Sequence, residues 1–149
     1  MTTNTADGRP VQDAYGVDTD PDRIDVGLVH HWLSTDAFWA LGRSRDLVER
    51  SMRGSLNFGV YDGEGRQVAY ARVVTDRATF AWLCDVYVDP AHRGRGLGVR
   101  LATAVRDHLA PYALKRTLLA TVDAHDLYAK AGFVPVPDPQ MLMILSPTT

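Results

Sequence analysis

The sequence contains a single cysteine, Cys84, among 149 residues. One cysteine cannot form an intramolecular disulfide, which excludes the small secreted scaffolds that depend on such bridges. No apolar run approaches the roughly 20 residues that a membrane-spanning helix needs. The first residues (MTTNTADGRP) also lack the basic start and apolar run of a secretory signal. These absences predict a cytoplasmic protein without a membrane partner.

An excess of charge of either sign is absent as well. The formal net charge is -2, which gives no reason to expect nucleic acid or an acidic membrane surface as a partner. His30 and His31 are adjacent on a predicted helix and therefore do not share a face, and zinc-ligand spacing is missing, so no metal site is predicted. A chain of 149 residues is long enough for one domain. We expect a flexible polar tail over residues 1–12 and a single domain over residues 13–149.

The periodicity of apolar residues predicts an α+β fold with a mixed central sheet of about six or seven strands, flanked by helices in three layers. A helix crossover before residues 117–122 indicates that this strand runs parallel to its neighbour, whereas tight turns join the preceding strands as an antiparallel meander. The predicted elements are an edge strand within 15–24, helices capped by Asp25 and Ser44, strands Leu56–Tyr61, Gln67–Thr75 and Thr79–Val88, a helix from Leu97 to Ala110, strand Thr117–Val122, a short helix through Lys130 capped by Asp123 or Asp126, and strands Phe133–Val136 and Met141–Leu145.

A glycine-rich turn, VDPAHRGRGLG over residues 88–98, joins a predicted strand to the helix that begins at Leu97. Such a turn gathers backbone N–H groups at a helix N-terminus, where the helix dipole favours a negative charge. The glycines do not match the dinucleotide fingerprint, and no second βαβ unit follows. A P-loop needs Gly-Lys-Ser/Thr, whereas this turn has Gly-Val-Arg. The turn therefore predicts a phosphate-bearing ligand of another kind.

Two motifs resemble those of the GNAT acetyltransferases. Arg93, Gly96 and Gly98 fill the Arg/Gln-x-x-Gly-x-Gly/Ala core of that family's motif A, and LYAKAGF over residues 127–133 is similar to its motif B. The resemblance covers residues 56–145 and implies the GNAT fold. It also implies an enzyme that transfers an acetyl group from acetyl-CoA to an amine, by direct attack in a ternary complex.

The resemblance implies that coenzyme A binds along this turn and the strand before it. Backbone N–H groups of the turn would hold the pyrophosphate, and the pantetheine arm would add to the strand through main-chain groups. The strand over residues 117–122 would splay away to leave a slot for that arm. The implied cofactor-binding residues are Val86, Tyr87, Val88, Arg93, Gly94, Arg95, Gly96, Leu97 and Gly98.

Two residues are candidates for catalytic roles, Tyr128 from the resemblance and Asp85 from its position on the strand. Tyr128 matches the tyrosine that acts as general acid in many GNAT proteins, with a structural tyrosine beside coenzyme A as the alternative. Asp85 is a candidate for ordering a water that accepts the proton of the amine, and the alternative is an ion pair with a neighbouring arginine. Strand alternation predicts that Cys84 faces away from Asp85. No Cys-His-acid arrangement supports a nucleophilic thiol, so Cys84 is predicted to be a small buried hydrophobe.

The acceptor is predicted to be a small-molecule amine that lies against an aromatic wall with a guanidinium, a combination suited to an amine that also carries a carboxylate. The candidate residues are Phe38, Trp39, Arg43 and Arg45 before the second helix, and Tyr70, Arg72 and Trp82 on the meander. Phe38 and Trp39 could instead anchor the helix pair in the core. Two other functions remain open: a non-catalytic acyl-CoA sensor or partner protein, and a peptide or protein N-acetyltransferase. A homodimer is compatible with the resemblance.

Overall fold

A single mixed sheet organises the chain. The structure, a computed structural model, describes residues 14–147, and the flexible tail expected over residues 1–12 lies outside this range. The strands form one sheet in the order β1-β2-β3-β4-β5. β1 to β4 pair antiparallel, and β5 is parallel to β4. The elements are β1 Gly16–Asp18, α1 Val26–Asp36, α2 Arg45–Arg53, β2 Leu56–Tyr61, β3 Gln67–Thr75, β4 Phe80–Val88, α3 Leu97–Leu109, β5 Arg116–Leu118 and α4 His125–Lys130.

The helices cover both faces of the sheet. On one face α3 contributes Leu101 and Val105 to a core that includes Phe58 of β2. On the other face α1 and α2 bury a second cluster, to which Trp32 and Tyr87 belong. The α+β class and the layered arrangement predicted from the sequence are thus confirmed. In residues 14–147 no helix is both long and apolar enough to cross a bilayer.

Local capping signals place the two early helices as predicted. The Asp25 side chain accepts a hydrogen bond from the Leu28 N–H at 3.0 Å, and the Ser44 hydroxyl oxygen accepts one from the Leu47 N–H at 3.1 Å. Each cap satisfies a backbone donor that the first helical turn leaves without a partner. Because these signals are contained within a few residues, they can be recognised in the sequence alone.

Predictions for the C-terminal third are partly wrong. The sheet has five strands rather than six or seven, because residues 133–136 and 141–145 form no strand. Prolines at 135, 137 and 139 lack an N–H to donate to a ladder. β5 ends at Leu118 instead of Val122. Neither Asp123 nor Asp126 caps α4; the Thr121 hydroxyl oxygen accepts from the Ala124 N–H at 3.0 Å.

Candidate active site

The glycine turn presents a row of backbone donors at the start of α3. Gly94 and Gly96 have φ angles of 78° and 77°, a region that side chains disfavour and glycine adopts readily. α3 then begins at Leu97 without a side-chain cap. Within the described part of the chain, the backbone N–H groups of residues 94–99 have no hydrogen-bond acceptor. Unpaired donors at the positive end of a helix form a site for a phosphate group.

Beside this turn, β4 and β5 separate. Their pairing covers only three residue pairs and ends at Trp82 and Leu118, so the edge of β4 over residues 83–88 has no strand partner on that side among residues 14–147. The splay predicted from the resemblance is confirmed, although β5 is shorter than expected. A cavity of about 860 Å³ occupies the gap and extends from the glycine turn to the loop between α1 and α2. This volume lies in the range of cavities that bind a cofactor or a small ligand.

A bulge in β4 redirects the side chains at the middle of the cavity. Tyr70 of β3 pairs with Tyr87, but Arg72 pairs with Cys84, so β4 has one more residue than β3 in this interval. Asp85 takes up the extra residue with a φ of 52°, as expected for a β-bulge. The predicted alternation is therefore wrong here: Cys84 lies across from Arg72, and Asp85 also contacts Arg72.

Asp85 is the centre of a buried ion-pair cluster. Its Oδ1 accepts a hydrogen bond from Trp39 Nε1 at 2.9 Å, and its Oδ2 accepts from Arg43 Nη1 at 2.8 Å and from Arg72 Nε at 2.9 Å. The Asp85 side chain is only 2% exposed. Burial alone would raise the pKa of Asp85, but the arginine partners and Trp39 outweigh burial and hold this pKa below its ordinary value. Asp85 is therefore a paired carboxylate at neutral pH.

The loop that carries Trp39 and Arg43 is fixed to α1 at two points. The Gly42 N–H donates to the Ser34 carbonyl at 2.9 Å, and His30 Nε2 lies 3.1 Å from the Arg43 carbonyl oxygen. Gly42 has a φ of 75°, which allows the chain to turn back toward the sheet. Nothing in the sequence pattern indicated that His30 tethers this loop.

Phe38 and Trp39 do not anchor the helix pair. Phe38 is 65% exposed and Trp39 is 45% exposed, and their rings meet edge to face at a centroid distance of 5.1 Å. The buried aromatic anchor is Trp32, whose ring stacks on Tyr87 with centroids 5.4 Å apart. The core interpretation of Phe38 and Trp39 is therefore wrong, and both residues line the cavity.

Arg93 and Tyr87 bind the end of α1 to the end of β4. Tyr87 Oη donates to Asp36 Oδ2 at 2.6 Å, and Arg93 Nη2 donates to the same oxygen at 3.2 Å. Arg93 Nε also donates to the Val88 carbonyl at 2.9 Å. Burial and, after it, the hydrogen bond to Asp36 raise the pKa of Tyr87 to about 12. Asp36 was not identified from the sequence as part of this site, yet it fixes one wall of the cavity.

Arg95 points away from the cavity. Its Nη1 donates to the Tyr15 hydroxyl at 2.6 Å, and that hydroxyl lies 2.7 Å from His92 Nδ1. Arg100 Nη2 also reaches the Tyr15 carbonyl at 2.7 Å. The guanidinium of Arg95 is thus bonded to Tyr15. Arg95 therefore contributes only its backbone N–H to the donors of the turn.

Tyr128 closes the cavity from α4. Its ring packs edge to face on Phe133 with centroids 6.0 Å apart, and burial raises the pKa of the phenol. A close approach of α3 sets the position of α4, because a Cβ on Gly98 would lie 2.6 Å from Leu127 Cδ1. Glycine at 98 thus brings Tyr128 and the glycine turn to the same cavity.

The structure brings most of the predicted site residues, Arg72 among them, to one cavity, and the exceptions are Arg95, Arg45 and Tyr70. Segments that the sequence did not single out complete the wall, including residues 120–124 after β5. The predicted residues that line the cavity are Phe38, Trp39, Arg43, Trp82, Asp85, Val86, Tyr87, Val88, Arg93, Gly94, Gly96, Leu97, Gly98 and Tyr128.

Comparison with known proteins agrees with this architecture. The sequence model of the family described as Acetyltransferase (GNAT) family matches residues 27–133. A crystal structure from Xanthomonas campestris pv. campestris, described as a "putative acetyltransferase belonging to the gnat family", is 48% identical; the match covers 89% of this chain and 92% of that chain, with a TM-score of 0.83.

Two further matches are more distant. A Gibberella zeae protein named a "putative acetyltransferase" is 32% identical over 135 residues, which cover 78% of this chain and 76% of the relative. The spermidine N-acetyltransferase of Vibrio cholerae, solved in complex with CoA and spermine, is 18% identical over 82% of each chain, with a TM-score of 0.67. This last likeness concerns the fold alone.

Proposed function

The chain belongs to the GNAT acetyltransferase family, and on that premise we propose that it acetylates an amine of a small molecule with acetyl-CoA, by direct attack in a ternary complex. The observation that carries the proposal is the continuity of one cavity. It joins the donors of the glycine turn, the unpaired edge of β4 and an aromatic, arginine-lined end.

Coenzyme A fits the first two of these parts. The backbone N–H groups of residues 94–99 would hold the pyrophosphate at the N-terminus of α3. The free edge of β4 over Val86–Val88 would take the pantetheine arm as a short additional strand. Glycine at 94 and 96 leaves open space where a Cβ would otherwise stand, which allows phosphate to approach the backbone.

Acetyl-CoA, when bound, supplies a thioester carbon that an unprotonated amine can attack. We assign Tyr128 as the acid that gives a proton to the departing sulfur. Burial raises the pKa of Tyr128, so the phenol keeps its proton at neutral pH and remains a donor. Cys84 is not assigned as a nucleophile, since burial raises the pKa of its thiol to about 11 and leaves it protonated.

For Asp85 we propose a positioning role instead of the general-base role, which was one of the two roles that its strand position allowed. Both of its oxygens accept hydrogen bonds from cationic or indole donors, and its pKa is lowered, which makes it a weak base. Asp85 holds Arg43 and Trp39 at the acceptor end of the cavity. The proton of the amine is then released to water through the open side of the cavity.

We also propose that the protein is a homodimer. The segment Met141–Leu145 exposes five consecutive apolar side chains to solvent, with exposed fractions between 50% and 97%. A contiguous apolar surface of this kind favours burial against a partner. A second copy of the chain is the occupant we expect, because β5 has a strand partner only on its β4 side within residues 14–147 and offers an edge to an added strand.

Thiol release from acetyl-CoA tests the catalytic proposal. The purified protein is incubated with a panel of small amines, amino acids and short peptides, and hydrolysis without an acceptor gives the baseline. Turnover above this baseline with a small amine supports the proposal. Tight coenzyme A binding without any turnover would favour the sensor, and turnover restricted to peptides would favour a peptide N-acetyltransferase.

A further inference from the structure

Charge at the acceptor end of the cavity is unbalanced. Two guanidinium groups, Arg43 and Arg72, share the single carboxylate of Asp85. Their side chains are only 18% and 15% exposed, so the cluster carries a net positive charge that is largely shielded from water. An uncompensated charge in such a place is unfavourable unless a further partner neutralises it.

Neighbouring groups do not supply the missing negative charge. The Cys84 thiol lies beside the cluster, but burial raises its pKa to about 11 and keeps it neutral. Burial also raises the pKa of Tyr70 strongly, and its hydroxyl donates to Asn57. The other carboxylates of the cavity wall are paired elsewhere or exposed: Asp36 pairs with Arg93, and Asp123 is exposed to solvent on the segment before α4.

Both guanidinium groups retain hydrogen-bond donors for a ligand. Arg43 uses only Nη1 toward Asp85, and Arg72 uses Nε toward Asp85 and Nη1 toward the Ser55 hydroxyl at 3.0 Å. Among residues 14–147 the Nε of Arg43 and the Nη2 groups of both arginines bond to no side chain or carbonyl. Since an arginine has five N–H donors arranged in a planar fork, these remaining groups suit a carboxylate.

We propose that the acceptor is an amine that also carries a carboxylate, which Arg43 and Arg72 bind while the amine faces the acetyl group. This inference rests on the proposed function and names its substrate class. The exposed rings of Phe38 and Trp39, with Trp82 on β4, lie on the same wall and provide an apolar surface for the remainder of the acceptor. α-Amino acids are the simplest compounds with this combination. A polyamine, by contrast, would bring further positive charge to a cluster that is already positive.

A matched pair of acceptors tests the inference directly. The same amino acid is offered as the free acid and as its carboxamide, which keeps the amine and the side chain and removes only the negative charge. We expect kcat/KM for the acid to exceed that for the amide by roughly tenfold to a hundredfold, the range of a hydrogen bond to a charged group. Spermine serves as the cationic comparison and should be the poorest of the three.

Arg43→Gln then tests the assigned side chain. Asp85 keeps Arg72 and Trp39 as partners in this variant, so no carboxylate is left alone in the interior. We expect the KM for the acid to rise about tenfold or more with little change for the amide, and Arg43→Lys to recover part of the preference. The control is Arg45→Gln, which removes the same charge from an exposed i,i+4 pair with Glu49 outside the cavity.

Failure of this inference is distinguishable from failure of the proposed function. Two outcomes would overturn the carboxylate assignment: acetylation of the amide as fast as or faster than the acid, or an unchanged preference for the acid in Arg43→Gln. Either outcome would leave the proposed acetyltransferase function standing. If no amine is acetylated, calorimetric binding of acid and amide to the coenzyme A complex still decides the matter. Tighter binding of the acid, lost in Arg43→Gln, supports the site, and equal binding refutes it.

Discussion

At the scale of single residues, Tyr128 has the most direct expected effect on catalysis. Tyr128→Phe removes the hydroxyl and keeps the ring against Phe133, so we expect kcat to fall about a hundredfold or more with unchanged coenzyme A affinity. Burial raises the pKa of the phenol above its ordinary value. A rate that depends on its proton should therefore persist through mildly alkaline pH and decline only when the pH passes that raised pKa. Steady-state rates across pH measure both effects.

Tyr112→Phe is the matched control for Tyr128→Phe. Tyr112 is half-buried near His108, with ring centroids 6.5 Å apart, and lies outside the cavity wall. Its loss of a hydroxyl should leave kcat within about twofold of the wild-type value. Equal kcat values for wild type and Tyr128→Phe would show that Tyr128 is a structural side chain beside the cofactor and that the acid is another group.

Asp85 shows how far single residues could be interpreted from the sequence. An ion pair with an arginine was one of two roles that its strand position allowed, but the partners could not be chosen, because Arg43 comes from a loop 42 residues away. The bulge was not predictable either. In an ordinary strand the side chains of Cys84–Val88 would alternate between the two faces of the sheet. Only the register against β3 reveals the extra residue.

At the scale of elements, the contact between α3 and α4 depends on Gly98. A Cβ at this position would lie 2.6 Å from Leu127 Cδ1, so Gly98→Ala requires the end of the Leu127 side chain to move. We expect a loss of about 1 kcal/mol in the free energy of unfolding, the cost of moving the end of the Leu127 side chain, together with a lower kcat because Tyr128 follows Leu127 in α4. Urea denaturation and steady-state rates of the same preparation report the two effects.

Gly16→Ala is the control, since a Cβ on Gly16 meets nothing within 4 Å. In a Leu127→Ala background the clashing methyl group is absent, so Gly98→Ala should cost less stability there than it does in the wild-type protein. A Gly98→Ala protein as stable and active as Gly16→Ala would contradict the assigned contact between the two helices.

Elements formed by local signals were predictable, and elements that depend on distant partners were not. β2 and β3 have the bounds expected from their apolar runs and from the turn at residues 62–65. The final strands Phe133–Val136 and Met141–Leu145 were wrong, because strand propensity alone does not supply a neighbouring edge. β5 ends early at Leu118, since the chain there departs to form the cavity wall and α4.

At the scale of the whole molecule, the proposed donor and acceptor sites lie at different positions along β4. The glycine turn and α3 are placed at one end of β4, and the loop between α1 and α2 lies over its middle, where the bulge directs Asp85 toward Arg43. The proposed donor site would therefore use mainly backbone groups, and the proposed acceptor site would use side chains. The motifs of the proposed donor site could be recognised in the sequence and acceptor residues such as Arg43 could be named, whereas the pairing of Arg43 and Trp39 with Asp85 required the packed fold.

In a single copy of the chain, the C-terminal segment leaves apolar side chains exposed to solvent. Met143, Ile144 and Leu145 are 97%, 89% and 97% exposed, although burial of such side chains is worth about 1.5–3 kcal/mol each. A groove of about 640 Å³ between β5 and residues 131–142 lies beside this segment. A second copy of the chain can cover both surfaces, which is the basis of the proposed homodimer.

Ile144→Asp tests that homodimer, because it places a charge on a side chain that makes no buried contact within one copy. We expect the wild-type protein to have the mass of a dimer by light scattering after size exclusion, and Ile144→Asp to shift toward the monomer with little change in the secondary structure of each copy. Leu47→Asp on α2, which alters another exposed apolar residue, should remain dimeric. A monomeric wild-type protein would contradict the proposal, and a monomer destabilised by Ile144→Asp would indicate that the segment packs on its own β5 instead.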